Sequence, residues 1–192
     1  MKPSVNQIIR LLNDRDNLVS NFSDRFYIAQ CDFGRGLFAK RVIKKGEEIF
    51  KFTGEIINFQ QTLNRENDFG DPLQIGKDLY LNLKEPMRFI NHSCNPNTGI
   101  KNDVFLIALE KIQKGEEIYF DYSTSMDEDY WIMHCECGNK NCRKIIKDFR
   151  HLPPQIKQKY LDLKIVQKFI AVQYQQSYSV LANSYEAQNS VY

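Results

Sequence analysis

Hydrophobic residues in this chain fall in short runs for most of its length. From about residue 25 to 122, groups of Val, Ile, Phe and Tyr alternate with Gly, Asn, Asp and Pro. Examples are Phe26-Tyr-Ile-Ala, Gly36-Leu-Phe-Ala, Glu48-Ile-Phe-Lys-Phe, Val104-Phe-Leu-Ile-Ala-Leu and Ile118-Tyr-Phe. Runs this short, closed by turn formers, predict small irregular sheets and no long βαβ unit. The two ends read differently. Val5, Ile8, Ile9 and Leu12 recur at helical spacing, and Ser4 with Gln7 suits a capping box, which predicts a short amphipathic helix over 4–12. From Leu152 the texture is helical again. Pro153 and Pro154 suit a helix start, and Ile156, Tyr160, Leu163, Val166 and Ile170 form one apolar stripe. Tyr174, Tyr178, Leu181 and Tyr185 either extend that face or belong to a frayed tail. The pattern predicts a mainly β protein with a short N-terminal helix and a longer C-terminal helical segment.

One stretch repeats. Ile43-Lys-Lys-Gly-Glu-Glu-Ile49 returns as Ile112-Gln-Lys-Gly-Glu-Glu-Ile118. Either Lys-Gly-Glu is simply a good turn, with Gly supplying a positive φ, or the two copies form a pseudo-repeat. In both readings a turn delivers the chain into a strand.

Composition narrows the class. A length of 192 residues suggests one domain with extensions or one large domain, and 42% hydrophobic with 26% charged residues is an ordinary globular balance. The longest apolar run, Val104 to Leu109, is far too short to cross a bilayer, and the first residues lack the apolar core of a signal peptide. The reading is therefore non-secretory, with no membrane partner. A net charge of +2 makes no global case for nucleic acid. Charge is segregated locally, however. Residues 116–136 carry seven acids and no Lys or Arg, whereas residues 140–168 carry nine Lys or Arg against two Asp. The two segments either neutralise one another or stand solvated.

The five cysteines are Cys31, Cys94, Cys135, Cys137 and Cys142, an odd number without a secretion signal, so a disulfide framework is not expected. Three of them lie in Cys135-x-Cys137-x4-Cys142. Thiolates held this close repel one another, and a zinc ion with four tetrahedral ligands would relieve that repulsion in a closed, structural site. The fourth ligand must come from elsewhere, with Cys94, Cys31, His134, His151 and His92 as candidates; Cys31, beside a strand-like run, suits a small apolar packing role. Other motifs say less alone. His92 could be a base or a structural histidine, Gly34-Arg-Gly36 is too short for a phosphate loop, and Glu47, Glu48, Glu116 and Glu117 follow turns and are expected to be exposed.

Together, and in order, Gly34-Arg-Gly-Leu-Phe-Ala39, Phe52-Thr-Gly-Glu-Ile56, Arg88-Phe-Ile-Asn-His-Ser-Cys-Asn-Pro-Asn97, Gly115-Glu-Glu-Ile-Tyr-Phe-Asp-Tyr122 and Cys135-x-Cys-Gly-x3-Cys-Arg143 resemble the SET-domain protein-lysine methyltransferases with a C-terminal zinc-binding post-SET segment. The resemblance covers about residues 25–146. It implies the SET-domain fold: several small β-sheets around a knot-like crossing. The implied organisation is an N-terminal helical extension over 1–24, a SET domain over 25–124, a post-SET zinc segment over 125–149, and a C-terminal helical extension and tail over 150–192.

By the same resemblance the methyl donor is S-adenosylmethionine, leaving S-adenosylhomocysteine as product. The backbone of Arg35, Gly36 and Leu37, with room left by Gly36, and the stretch Arg88, Phe89, Asn91 and His92 would hold the cofactor. Tyr122 matches the active-site tyrosine that also borders the cofactor, and Phe120 the position that tunes how many methyls are added. Cys94, Cys135, Cys137 and Cys142 match the four zinc ligands. The implied substrate is a lysine-bearing protein, with histone-like tails the leading class and the acidic 116–136 segment a means of attracting them. That points to a nucleus or cytoplasm, or to a bacterial protein delivered to a host nucleus. The alternative is a non-catalytic interaction module on the same fold. Direct nucleic-acid binding is not expected, and the C-terminal helix either dimerises or caps the core. Phe52 departs from the family's usual Tyr, and the insert from Gly54 to Arg88 is short.

Overall fold

The computed structural model describes residues 23–64 and 72–174. The helix expected over 4–12 and the continuation beyond Tyr174 lie outside the described residues. In chain order the strands are β1 (Phe26–Cys31), β2 (Gly34–Ala39), β3 (Glu48–Lys51), β4 (Gly54–Ile57), β5 (Leu73–Gly76) and β6 (Leu79–Leu83). Then come β7 (Asn91–His92), β8 (Thr98–Lys101), β9 (Phe105–Ala108), β10 (Tyr119–Phe120), β11 (Met133–His134) and β12 (Ile145–Ile146). They pair as five small sheets: β1-β2, β3-β9-β8, β4-β6-β5, the parallel pair β10-β7, and β11-β12. The short-run texture thus forms several small sheets, as expected of the SET fold. Among the described residues no helix is long and apolar enough to cross a membrane.

Alternation explains how so many short strands share one core. Leu37, Ile49, Ile100 and Leu106 each point inward from a different strand and are at most 1% exposed. Phe52, Ile43, Ile112 and Ile118 fill the space between them. A fully buried side chain of this size contributes roughly 1.5–3 kcal/mol, so this cluster is the main stabilising body of the fold. Phe52 stacks edge-on with Phe50 and Phe120, so it serves the core as an aromatic without a hydroxyl.

The repeated motif is both a turn and a symmetric pair. Gly46 and Gly115 take φ values of 82° and 86°. In each copy the Glu that follows the glycine accepts a backbone N–H from three residues earlier, Glu47 from Lys44 and Glu116 from Gln113. The copies then meet, with Ile43 and Ile112 exchanging backbone hydrogen bonds of 2.9 and 3.0 Å.

The later strand β10 is laced beside an earlier loop. On one side it pairs in parallel with β7, Tyr119 opposite Asn91 and Phe120 opposite His92. On the other, Asn97 accepts from the Tyr119 N–H at 2.9 Å and donates to the Glu117 carbonyl at 2.8 Å, while the Thr98 hydroxyl donates to the Tyr119 carbonyl at 2.5 Å. The segment from 117 to 120 is therefore gripped from both sides by residues of the 91–98 loop, the crossing expected of the fold.

The C-terminal stripe is not one helix. Pro154–Asp162 is helical, Lys164 turns left-handed at φ 55°, and helix resumes only over 168–174. The break has a packing reason. It drops Ile165 against Gly99 of β8, where an added Cβ would lie 2.5 Å from the Ile165 Cγ2. Phe149, Leu152, Tyr160, Ile165, Val166 and Ile170 form a second cluster that caps the β core.

Gly99→Ala should therefore overpack this seam at a cost of about 1–3 kcal/mol. The unfolding midpoint should fall by roughly 2–4 °C per kcal/mol, measured by scanning calorimetry. Trimming Ile165 to Val in the Gly99→Ala background removes only Cδ1 and leaves the closest contact, Cγ2, in place, so it should recover little of the loss.

Candidate active site and metal centre

The site forms where β7 and β10 run side by side. Immediately after β10, Asp121 caps the short 3-10 turn Tyr122–Ser125 by accepting the Ser123 N–H at 3.1 Å. The Asp121 carboxylate is 1% exposed. A bidentate Arg143 donates to both its oxygens at 2.7 Å, and the Tyr160 hydroxyl donates to one at 2.9 Å. Burial works against the Arg143 charge, and Asp121 more than offsets it, so the guanidinium pKa rises above its ordinary value. Burial, with the Asp121 charge next, raises the Tyr160 pKa as well.

Tyr122 inherits its position from this clamp. Its N–H donates to His92 Nδ1 at 3.2 Å and its hydroxyl to the Ile90 carbonyl at 2.8 Å. Burial outweighs the nearby Asp121 charge and lowers the His92 pKa to about 4, so the ring is neutral at pH 7. With Nδ1 accepting, the proton sits on Nε2, which lies 3.4 Å from the Cys94 sulfur.

Two cavities flank Tyr122. The larger, about 370 Å³, is lined by Asn91, His92, Tyr122 and the Met133–Cys137 stretch, with Phe33 at its edge. The smaller, about 60 Å³, is walled by Ile90, Phe120, Met126 and Trp131 and again by Tyr122. One phenol thus borders a volume of small-molecule size and a smaller one whose walls are mixed, with Arg88 and Ser125 beside the apolar side chains. Phe120 packs against Tyr122 with ring centroids 4.9 Å apart, and Trp131 stands at 6.1 Å.

Cys94, Cys135, Cys137 and Cys142 converge, all four sulfurs within 4.8 Å of one another, and this group can hold a metal ion. The Cys94 and Cys135 sulfurs are 3.8 Å apart. Burial pushes the Cys94 thiol up to about 11 and raises Cys135 as well. Burial also acts on Cys137, but Asn139 and backbone donors outweigh it and bring that thiol down to about 6. Four such sulfurs resist joint deprotonation unless a cation shares their charge. Cys31 stands apart, its thiol 3.4 Å from the Asn91 side-chain nitrogen.

Residues 34–123 match the family model described as the SET domain. This chain carries a SET domain. Among curated relatives it is 35% identical over 131 residues to histone-lysine N-methyltransferase 2B of Homo sapiens, covering 59% of this chain and 5% of that protein. It is 33% identical over 138 residues to histone-lysine N-methyltransferase trr of Drosophila melanogaster, covering 62% of this chain and 6% of that one. The chain thus spans only 3–6% of the curated relatives it matches. The crystal structure of Arabidopsis thaliana SUVH6 in complex with SAM shares the fold, with a TM-score of 0.53 at 21% identity over 64% of this chain and 32% of that chain.

Within the SET domain the expected cofactor residues separate into groups. Asn91, His92 and Tyr122 line the larger cavity, whereas Arg88 lines the smaller one. Arg35 lays its guanidinium 3.8 Å over the Phe89 ring, and its carbonyl accepts from Asn91. The Leu37 side chain is fully buried in the core, and its carbonyl accepts the Ile118 N–H at 2.7 Å. The room at Gly36 is taken by Glu117, whose Oε1 would lie 2.3 Å from an added Cβ.

Glu117 is the residue the sequence reading missed. It is not an exposed turn residue: it accepts from Asn91 Nδ2 at 2.7 Å and from the Tyr119 hydroxyl at 2.7 Å. The available signal was period two, because Glu117 and Tyr119 share the strand face opposite buried Ile118. The acidic segment is likewise engaged within the chain. Asp121 is held by Arg143, Asp127 lies 2.9 Å from Arg150, and the Tyr80 hydroxyl donates to Glu128 at 2.6 Å. The acidic and basic segments therefore meet at two of the seven acids, Asp121 and Asp127, which pair with Arg143 and Arg150.

Arg143→Met leaves the Asp121 charge buried with its principal partner gone, and should cost about 3–5 kcal/mol in urea-induced unfolding. Tyr160→Phe removes one donor to that charged group while leaving Arg143 in place, and should cost less, about 1.5–3 kcal/mol in the same measurement.

Proposed function

We propose that this protein is a protein-lysine N-methyltransferase that uses S-adenosylmethionine and acts on histone-like tails. The observation that carries the reading is Tyr122, a single phenol that borders both a cavity of about 370 Å³ and a smaller one walled by Ile90, Phe120, Met126 and Trp131. The larger cavity falls in the usual range for small-molecule sites, about 300–1,000 Å³, and offers the polar groups of Asn91, His92 and Glu136 beside apolar Phe33 and Met133. Those features fit a polar, cationic cofactor with an adenine ring. When bound, that cofactor supplies an already activated methyl on a sulfonium. The chain's own task is then to present a neutral amine in line with it.

Neutralising a lysine of pKa about 10.4 near pH 7 costs about 4.6 kcal/mol. The Phe120, Met126 and Trp131 walls reduce that cost by disfavouring the ammonium form. The Tyr122 hydroxyl, anchored on the Ile90 carbonyl, orients the reacting groups. His92 is no general base here, since both ring nitrogens are engaged and the ring is buried. Phe120 places no hydroxyl in the channel to hold a water, which favours more than one methyl on the product. A histone-like substrate implies action in a nucleus.

The four cysteines suit zinc in a structural role. A tetrahedral zinc with bonds of about 2.3 Å has sulfur–sulfur edges of about 3.8 Å, the separation of Cys94 and Cys135. The ion would hold the Cys135–Cys142 segment, one wall of the larger cavity, against the loop that carries His92.

Radiolabel transfer from S-adenosylmethionine to a histone-tail peptide array tests the reading. Tyr122→Phe should lower kcat by about 100-fold, the scale of a misaligned reaction, while cofactor affinity changes little. Product mass should exceed a single added methyl. Cofactor binding without transfer to any peptide would instead support the non-catalytic module. Elemental analysis should find one zinc per chain, and prolonged chelation should remove it together with transfer activity.

A further inference from the structure

We infer that Glu117 is a positioning residue for the cofactor: it orients the Asn91 side-chain amide so that its oxygen faces the larger cavity and selects a cationic group there. This rests on the S-adenosylmethionine reading, and of that molecule's two cationic centres the α-ammonium is the one with N–H donors for an amide oxygen.

The argument starts from the donors and acceptors around Asn91. Its Nδ2 has three acceptors within reach: Glu117 Oε1 at 2.7 Å, the Arg35 carbonyl at 3.2 Å and the Cys31 sulfur at 3.4 Å. A primary amide has two N–H donors on one arm and an acceptor on the other. Reversing it would bring the amide oxygen against a carboxylate and a carbonyl, both acceptors. The network therefore fixes the nitrogen inward and leaves Oδ1 to the cavity that Asn91 lines. Glu117 contributes the shortest of the three contacts and the only full charge.

Glu117 is itself held for this role. The Tyr119 hydroxyl donates to its other oxygen at 2.7 Å. Its carboxylate occupies the space over Gly36, where any Cβ would collide with it. Residues from β2, β7 and the approach to β10 thus converge on the direction of one amide. An acceptor presented to the cavity, backed by the partly buried carboxylate of Glu117, favours an ammonium and disfavours a carboxylate or hydroxyl acceptor at the same point.

The test is calorimetric binding of S-adenosylmethionine and of its analogue lacking the α-amino group. Glu117→Gln allows the amide to reverse, because the new side chain can donate to it. The expected result is about a tenfold loss of affinity for S-adenosylmethionine, the scale of one hydrogen bond to a charged group, with the analogue unchanged. The double variant Glu117→Gln with Asn91→Asp restores both the net charge and an oxygen facing the cavity, and should recover affinity to within about threefold. Should Glu117→Gln fold poorly, Tyr119→Phe frees one carboxylate oxygen and should shift affinity the same way by a smaller factor. Equal weakening of both ligands, or no change in either, overturns the inference while leaving the cofactor reading intact. A native chain that binds neither ligand overturns the cofactor reading and the inference with it.

Discussion

The Asp121 carboxylate, removed from water and gripped by Arg143, Tyr160 and the Ser123 N–H, is the constraint on which the rest of the molecule depends. Each partner belongs to a different part of the chain. Asp121 ends the laced segment, Arg143 closes the cysteine-rich segment, and Tyr160 sits on the C-terminal helix. A buried charge is costly unless its partners are complete, so the three parts must dock together or leave an unpaired ion. Because Tyr122 is the next residue, the same requirement fixes the phenol between the two cavities.

The electrostatics of the site follow one rule: burial decides which groups keep their charge. Arg143 and Asp121 keep theirs because they meet in bidentate geometry. His92 loses its charge because burial wins over the more distant carboxylate. Around Tyr122 this leaves neutral and apolar neighbours, an environment suited to a neutral amine nucleophile and poorly suited to acid–base chemistry. The neutral ring also gives His92 one accepting and one donating nitrogen, so it links the Tyr122 backbone to the Cys94 sulfur.

Much of this was legible in the sequence because it depends on local pattern. Short apolar runs become strands wherever turn formers bracket them, and the spacing of Cys135, Cys137 and Cys142 already demands a shared partner. The Asn-His segment and Tyr122 were identifiable by their motifs. What was illegible depends on contacts distant in sequence. Glu117 looks like any acid after a Lys-Gly turn until Gly36 and Asn91 are seen to face it. The stripe from Ile156 to Ile170 has helical spacing throughout, yet the seam against Gly99 requires a break at Lys164. The acidic run looked like a surface for basic peptides, yet tertiary pairing commits Asp121 and Asp127 to Arg143 and Arg150.

The cysteine arrangement bears on the order of assembly. Cys94 precedes the laced segment and its three companions follow it, so the nearest of them, Cys135, lies 41 residues further on with the crossing in between. Closing a loop of that length carries an entropic cost that rises only slowly with span, so the obstacle is one of sequence of events more than of energy. During synthesis, the clasp can shut only after the laced strand and the phenol that follows it have been made. Ion capture would then act as a final latch, distinguishing a finished molecule from one still threading.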